Sequence, residues 1–343
     1  MYSSSTNNDI RWAFIAWSPH SRRSEVFAKA FGGKLHCIHY LRFQSPLYAP
    51  AKYVLQGLRT WQVLLTEHPR VVHVQNPPFV CGLVVYLYCR FTGAQFVLDH
   101  HSAAFARAWD WAVPVQKFLA QRAITNIVTN QHWANLIGSW NAHALIMGDP
   151  FLALPPGEMF HVEPGFNIAF VGTFAPDEPL EAALEAAARL PSVHWYITGD
   201  ARRKPKSFFD TLPTNVSCTG FLPDAQYVGL LQAVDAVMVL TTRDHTLQLG
   251  GCEAVAAGQP LITSNWPFLQ DFFSKGTIYV ANTADGICNG VLAMQQEKGR
   301  LEDEMARFRD AARREWAAQF AQLSKLVAHA LHASRRDEIQ NAD

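Results

Sequence analysis

Short apolar runs recur along the chain, each followed by a stretch in which apolar residues return every three to four positions. In the first half the runs at 12–17, 35–40, 71–75, 95–98, 126–129 and 144–147 read as buried strands. The stretches at 25–31, 53–67, 79–91, 114–122 and 131–140 read as helices. Punctuation agrees with this division. Gly32 and Gly33 close the first helix, Pro69 stops the second, and the prolines of Asn76-Pro77-Pro78 end the third strand. Strands that alternate with helices predict a parallel sheet covered on both faces.

Residues 148–165 break the rhythm, being rich in proline and glycine without any period, and a second alternating series follows. Its strands are expected at 167–171, 193–198, 216–219, 236–240, 260–263 and 278–280. Its helices are expected at 177–190, 224–233, 253–257, 287–296 and, with a much more charged face, 301–336. The expected organisation is therefore a first α/β domain over 1–150, a linker over 151–165, a second α/β domain over 166–310 and a terminal helix over 311–343. Two parallel sheets whose carboxyl ends face a cleft follow from that order.

Composition narrows the class of protein. The 343 residues are 49% hydrophobic and 17% charged, which describes a folded, rather apolar chain. Its 29 basic and 29 acidic residues cancel, whereas a general nucleic-acid binder carries a basic excess. Any anionic ligand must then be met by a few local groups. The six cysteines are scattered without a CxxC pair and fall mostly in apolar runs, so they read as buried free thiols in a reducing compartment. The first residues show no basic flank before an apolar core, and the apolar run at 79–87 is shorter than the ~20 residues that span a bilayer. A cytoplasmic protein is the expectation.

Candidate chemistry concentrates in residues 235–265, where an apolar strand, a polar loop and a glycine-rich turn precede a small-residue helix. In such βαβ units ligands sit beyond the carboxyl ends of the strands. Glu253 offers two acceptor oxygens suited to paired ribose hydroxyls. A first-turn Glu placed for the helix dipole is the structural alternative. Gly250 and Gly251 would expose amides to phosphate, Arg243 has the fork that phosphate oxygens accept, and His245 adds a ring that can donate or accept a hydrogen bond. Gly172 and Thr173 form the turn after the first strand of this half. In the first half, Asp99, His100 and His101 lie at a strand end, where Asp or His could serve a reacting hydroxyl and Asp99 could equally orient an imidazole. The loop with His20, Arg22 and Arg23 could meet a donor phosphate or an anionic acceptor, and the two arginines cannot be told apart. Adjacent histidines raise the idea of a metal, but no third ligand is visible, so none is expected. Arg59, Trp61, Tyr86, Arg90, Trp109 and Trp111 are read as core aromatics with their flanking bases or as an amphipathic surface suited to a lipid.

The second half also carries a resemblance. A strand, a GT turn, a helix, a strand ending ITGD, a strand ending GFL, then DAVMVLTT and GGCEAVAAGQPLITSN resemble the donor domain of a GT-B-fold glycosyltransferase, most similar to glycosyltransferase family 4. The resemblance implies two Rossmann-like domains, a nucleotide-sugar donor in the second and an acceptor in the first. It assigns Glu253 to the ribose and Gly172 and Thr173 to the phosphate. It places His101 first, and His100 second, near the sugar; the family retains anomeric configuration, which would make this His a sugar contact rather than a base. The chain departs from the family at two places. His245 stands where many members have the first of two glutamates, and GTFAPDEP lacks the Arg and Lys that hold the diphosphate. The implied activity is transfer of a sugar to a hydroxyl of a glycan or lipid-linked glycan in polysaccharide or glycoconjugate synthesis, with no cofactor, no nucleic-acid partner, and action in the cytoplasm or at the inner face of a membrane. A nucleotide-sugar epimerase of the same fold and a non-catalytic nucleotide- or sugar-binding protein are the alternatives.

Overall fold

The computed structural model describes residues 10–41, 46–149 and 154–340. Residues 1–9, where no leader is expected, and 151–153 of the expected linker lie outside the described residues. The chain divides into two compact units, residues 149–316 and residues 1–148 together with 317–343.

In the first unit the order is β1 (Trp12–Ala16), α1 (Arg22–Phe31), β2 (Lys34–Cys37), α2 (Ala49–Glu67), β3 (Val71–Asn76) and α3 (Phe79–Thr92). It continues with β4 (Gln95–His100), α4 (Val113–Ala120), β5 (Asn126–Val128), α5 (Gln131–Ser139) and β6 (Ala144–Ile146). All strands pair in parallel, in the order β2-β1-β3-β4-β5-β6. Every residue of β1 is buried, as a strand covered on both faces requires. Ser21 caps α1 by accepting from the Ser24 amide, and Gly32 ends it at φ 66°. Strand β4 runs two residues past the expected end, because Asp99 and His100 pair in register with Gln75 and Asn76. The polar pair expected at the strand end belongs to the strand itself.

The second unit contains β7 (Phe166–Phe170), α6 (Leu180–Arg189), β8 (Val193–Thr198), α7 (Lys206–Phe209), β9 (Val216–Gly220) and α8 (Asp224–Ala233). Then come β10 (Ala236–Val239), α9 (Leu249–Ala257), β11 (Leu261–Ser264), α10 (Pro267–Phe272), β12 (Thr277–Val280) and α11 (Ala284–Gln340), whose residues from 317 onward belong to the first unit. Its six parallel strands lie in the order β12-β11-β10-β7-β8-β9. From β7 the chain winds outward to β9, then returns to the other side of β7 with β10. The β7/β10 boundary is therefore a topological switch point, the place where such sheets open a ligand crevice. The matching boundary in the first unit lies between β1 and β3.

Two expected helices prove to be one, since α11 is continuous from Ala284 to Gln340. Across the gap left between them, Arg300 pairs with both Glu297 and Glu304, and Lys298 with Glu302 at 3.5 Å. Charge pairs three and four residues apart hold a helix across such a stretch. All six cysteines are free.

Candidate functional site

At the carboxyl end of β7 the chain turns through Gly172 and Thr173, and at the end of β10 it enters the loop Thr241–Gln248. The two loops are joined directly. The Thr242 amide donates to the Asp177 carbonyl at 2.8 Å, and Thr241 Oγ1 donates to the Asp177 carboxylate at 3.2 Å. The base of the β10 loop is pinned from the far side as well: the Thr241 carbonyl accepts from Trp266 Nε1 at 2.9 Å and Asn282 Nδ2 at 2.8 Å. A rigid, polar floor results at the switch point.

Around that floor stand the expected donor residues. Arg243 is exposed, and its guanidinium makes no hydrogen bond or ion pair among the described residues. His245 takes φ 52°, a conformation that costs a non-glycine residue of order 1–3 kcal/mol. Its amide donates to Asp244 Oδ1 at 2.6 Å, and its ring Nε2 lies 3.5 Å from Asp244 Oδ2. Helix α9 begins at Leu249, four residues ahead of the expected start, so Gly250 and Gly251 form its first turn rather than a turn before it. Both glycines are buried for a packing reason. A Cβ at Gly250 would lie 2.7 Å from the Val171 side chain, and one at Gly251 would lie 2.6 Å from the Phe273 ring. The Gly251 amide already donates to the Gln248 carbonyl at 3.1 Å.

Glu253 consequently sits in the second turn of α9, with no acidic residue in the first. The helix dipole acts mainly within the first turn, so it does not account for a carboxylate there. Glu253 is half-buried, and its Oε2 accepts from the Tyr227 hydroxyl at 2.7 Å. The phenol fixes one oxygen of the carboxylate. Gly258 ends the helix at φ 82°.

In the first unit the structure separates residues that looked equivalent. Arg23 is 6% exposed and its Nε reaches both oxygens of the fully buried Asp99, at 3.0 and 2.9 Å, while its Nη2 donates to the Met147 carbonyl at 2.9 Å. Arg22 stays at the surface beside Glu25, 3.5 Å away, and His20 is exposed. Burial opposes the charge on Asp99, but Arg23, with His73 and His101, overrides it and lowers the carboxyl to about 2. His100 is also enclosed. Its Nδ1 lies 2.9 Å from Asn76 Nδ2, which can only donate, and its Nε2 lies 2.9 Å from Asn126 Oδ1, which can only accept. That pairing makes His100 a neutral imidazole with the proton on Nε2, and burial keeps its pKa down at about 4. Asp99 and His100, expected to serve the reacting group, are instead buried polar links between strands and helices, because both are sealed from solvent by their partners. Of the three neighbours, His101 is the half-buried one, at the carboxyl end of β4.

The expected acceptor surface divides in the same way. Trp61 and Tyr86 are half-buried against Tyr88 and Phe118, and Trp109 stacks edge-on to Phe79, whereas Trp111 is 70% exposed. Sequence reasoning missed two residues beside the β7 turn. Glu178 bonds the turn's own amides, and Arg203 donates from Nη1 to the Thr173 carbonyl at 3.2 Å. The acidic residue five positions after Thr173 and the run Arg202-Arg203-Lys204 were visible signals, but nothing linear connects the second to the turn. Among the described residues no group of three or more His, Cys, Asp or Glu side chains is placed to hold a metal ion.

Comparison with known proteins bears on the same region. Residues 178–324 match the glycosyl transferase-like family. No curated protein matched the sequence. Among solved structures, the chain resembles a sucrose-phosphate synthase from Thermosynechococcus elongatus at 15% identity and a TM-score of 0.71, over 94% of this chain and 100% of that one. It resembles Anabaena HepE, solved with UDP and glucose, at 12% identity and a TM-score of 0.66, over 92% of this chain and 99% of that one. It also resembles S. aureus MnaA, solved with UDP, at 10% identity and a TM-score of 0.59, over 86% and 90% of the two chains. With two Rossmann-like parallel sheets and a glycosyl transferase-like segment that spans the β10–α9 crevice, the chain has the fold of the GT-B glycosyltransferases.

Proposed function

We propose that this protein transfers a sugar from a uridine diphosphate sugar to a hydroxyl of a glycan or lipid-linked glycan, in the synthesis of a polysaccharide or glycoconjugate. The observation that carries the reading is Glu253, a half-buried carboxylate held by Tyr227 beside the β7/β10 switch point, within the segment that matches the glycosyl transferase-like family. Uridine as the base is supported by the UDP bound to HepE and MnaA. In this reading Glu253 accepts from the ribose hydroxyls, Gly250 offers its amide and Arg243 its guanidinium to the diphosphate, and His245 meets the sugar. Gly172 and Thr173 border the phosphates. His101 contacts the reacting sugar or hydroxyl in the first unit, and His20 and Arg22 lie at the loop after β1, where an anionic acceptor would be met. Arg23 contributes by holding Asp99 rather than by touching a ligand.

Titration calorimetry with UDP tests the assignment. Glu253→Ala should weaken UDP by roughly 10-fold or more, the loss of hydrogen bonds to a charged acceptor, whereas His101→Ala should spare UDP binding and cut sugar turnover. Unchanged UDP affinity in the first variant removes the ribose role. Conversion of the UDP-sugar in the absence of any acceptor would turn the reading toward an epimerase.

A further inference from the structure

The turn after β7 offers anion-binding donors, and the chain's own carboxylate occupies them. The Thr173 amide lies 2.8 and 2.9 Å from the two oxygens of Glu178, its hydroxyl lies 3.0 Å from Oε1, and the Ala175 amide lies 3.1 Å from Oε2. Gly172 leaves room for this seat, since a Cβ there would lie 2.8 Å from Glu178 Oε2. A diphosphate brought to these amides would meet a carboxylate already bonded to them, and like charges at contact repel. Positive charge for the donor must then come from a neighbouring loop.

Strand β7 lies between β10 and β8, so the loops after both strands border its turn. The loop after β8 carries Arg202, Arg203 and Lys204, and Lys206 opens α7. Arg202 is committed to Asp200, with two bonds of 2.8 Å. Lys204 lies 3.7 Å from Glu181 and over the Phe208 ring. Arg203 differs from both. Its Nη1 donates to the Thr173 carbonyl at 3.2 Å, which anchors the guanidinium on the turn, and among the described residues it has no carboxylate within ion-pair distance. An exposed guanidinium fastened by one N–H, with the rest of its fork unbonded, is a preplaced phosphate ligand.

We infer that Arg203 is a second cation, beside Arg243, that meets the donor diphosphate in this chain, in place of a turn whose anion seat is closed by Glu178. The inference rests on the nucleotide-sugar reading above. It also explains how a turn with no basic residue can border a diphosphate site: the charge arrives from the next strand, anchored on the turn's carbonyl instead of carried by the turn itself.

Calorimetry on the full chain with UDP and with uridine tests it, the folding of each variant being checked by thermal unfolding. Arg203→Ala should weaken UDP by roughly 10- to 100-fold and leave uridine unchanged. Arg203→Lys should keep more UDP affinity than Arg203→Gln, because the charge is what matters. Arg202→Ala should bind UDP like the wild type. Full rescue by Arg203→Gln would make Arg203 a brace for the turn and overturn the inference, as would equal losses for UDP and uridine. Wild-type UDP affinity in Arg203→Ala would overturn it while leaving the nucleotide reading intact. A wild-type chain that binds no UDP would remove that reading, and this inference with it.

Discussion

Arg22 and Arg23 are adjacent and chemically alike, and burial alone separates their roles. Arg23 enters the core to neutralise Asp99, while Arg22 remains at the surface. Removing one member of a buried pair leaves the other charged and unpartnered, so Arg23→Ala and Asp99→Asn should each cost about 3–5 kcal/mol, read from urea unfolding of the whole chain. The pH dependence has a defined sign. His73 is fully buried between the Phe14 and Phe27 rings, and burial lowers its pKa to about 4, as it does for His100. A histidine depressed on folding contributes stability that is complete above its unfolded pKa of about 6.5 and is lost as pH falls toward 4. Asp99, lowered to about 2, contributes stability present above about 4 and lost as pH falls toward 2. The first unit should therefore weaken in two steps on acidification, and His73→Leu should flatten the upper one. A slope between pH 6.5 and 4 that His73→Leu leaves unaltered would place the titration elsewhere.

At the scale of elements, α9 shows how a sequence signal can be right in place and different in cause. The paired glycines at 250 and 251 mark the crevice, but they are there because α9 packs its first turn directly on Val171 and Phe273. Substituting alanine at either position should cost about 1–3 kcal/mol through overpacking and lower the melting temperature by several degrees. Gly299 is the contrast: it lies exposed inside α11 with nothing within 4 Å of an added Cβ. Gly299→Ala should raise stability by about 0.5–1 kcal/mol, because only helix propensity changes. Differential scanning calorimetry of the three variants would show whether the two kinds of helical glycine separate as expected.

At the scale of the molecule, the balanced formal charge of zero conceals a local excess. Helices α2 and α3 pack together, and they expose Val54, Leu58, Leu87 and Phe91, the last 77% exposed and in ring contact with Trp61. Their one acidic side chain, Glu67, is engaged by Lys34 and His36, while Arg59 and Arg90 remain exposed. An apolar face with basic neighbours suits an anionic membrane surface, the contact that the lipid-linked acceptor proposed above calls for. No described helix is long and apolar enough to cross a membrane. The protein should float with vesicles containing phosphatidylglycerol and less with phosphatidylcholine alone. Leu58→Glu combined with Phe91→Glu should abolish flotation without changing UDP affinity. Flotation that survives both charges would move the contact to another face.

Periodicity and punctuation were enough to read two alternating α/β halves, because a parallel strand buried on both faces must be a short apolar run and its covering helix must repeat every 3.6 residues. The same local signals located Glu253 and the loop from Arg243 to His245, since strand, polar loop and helix are consecutive in the chain. What they could not supply was anything that depends on which strands become neighbours. The order of the second sheet puts β8 beside β7, and only that adjacency brings Arg203 to the turn at Thr173. Asp99 and Arg23 stand 76 positions apart, and their pairing turned an expected reactive carboxylate into part of the core. The linear pattern determined the elements and the address of the crevice. Tertiary packing decided which charges stay exposed and which are paired with each other, because burial and partner distance are properties of the folded sheet and not of any stretch of sequence.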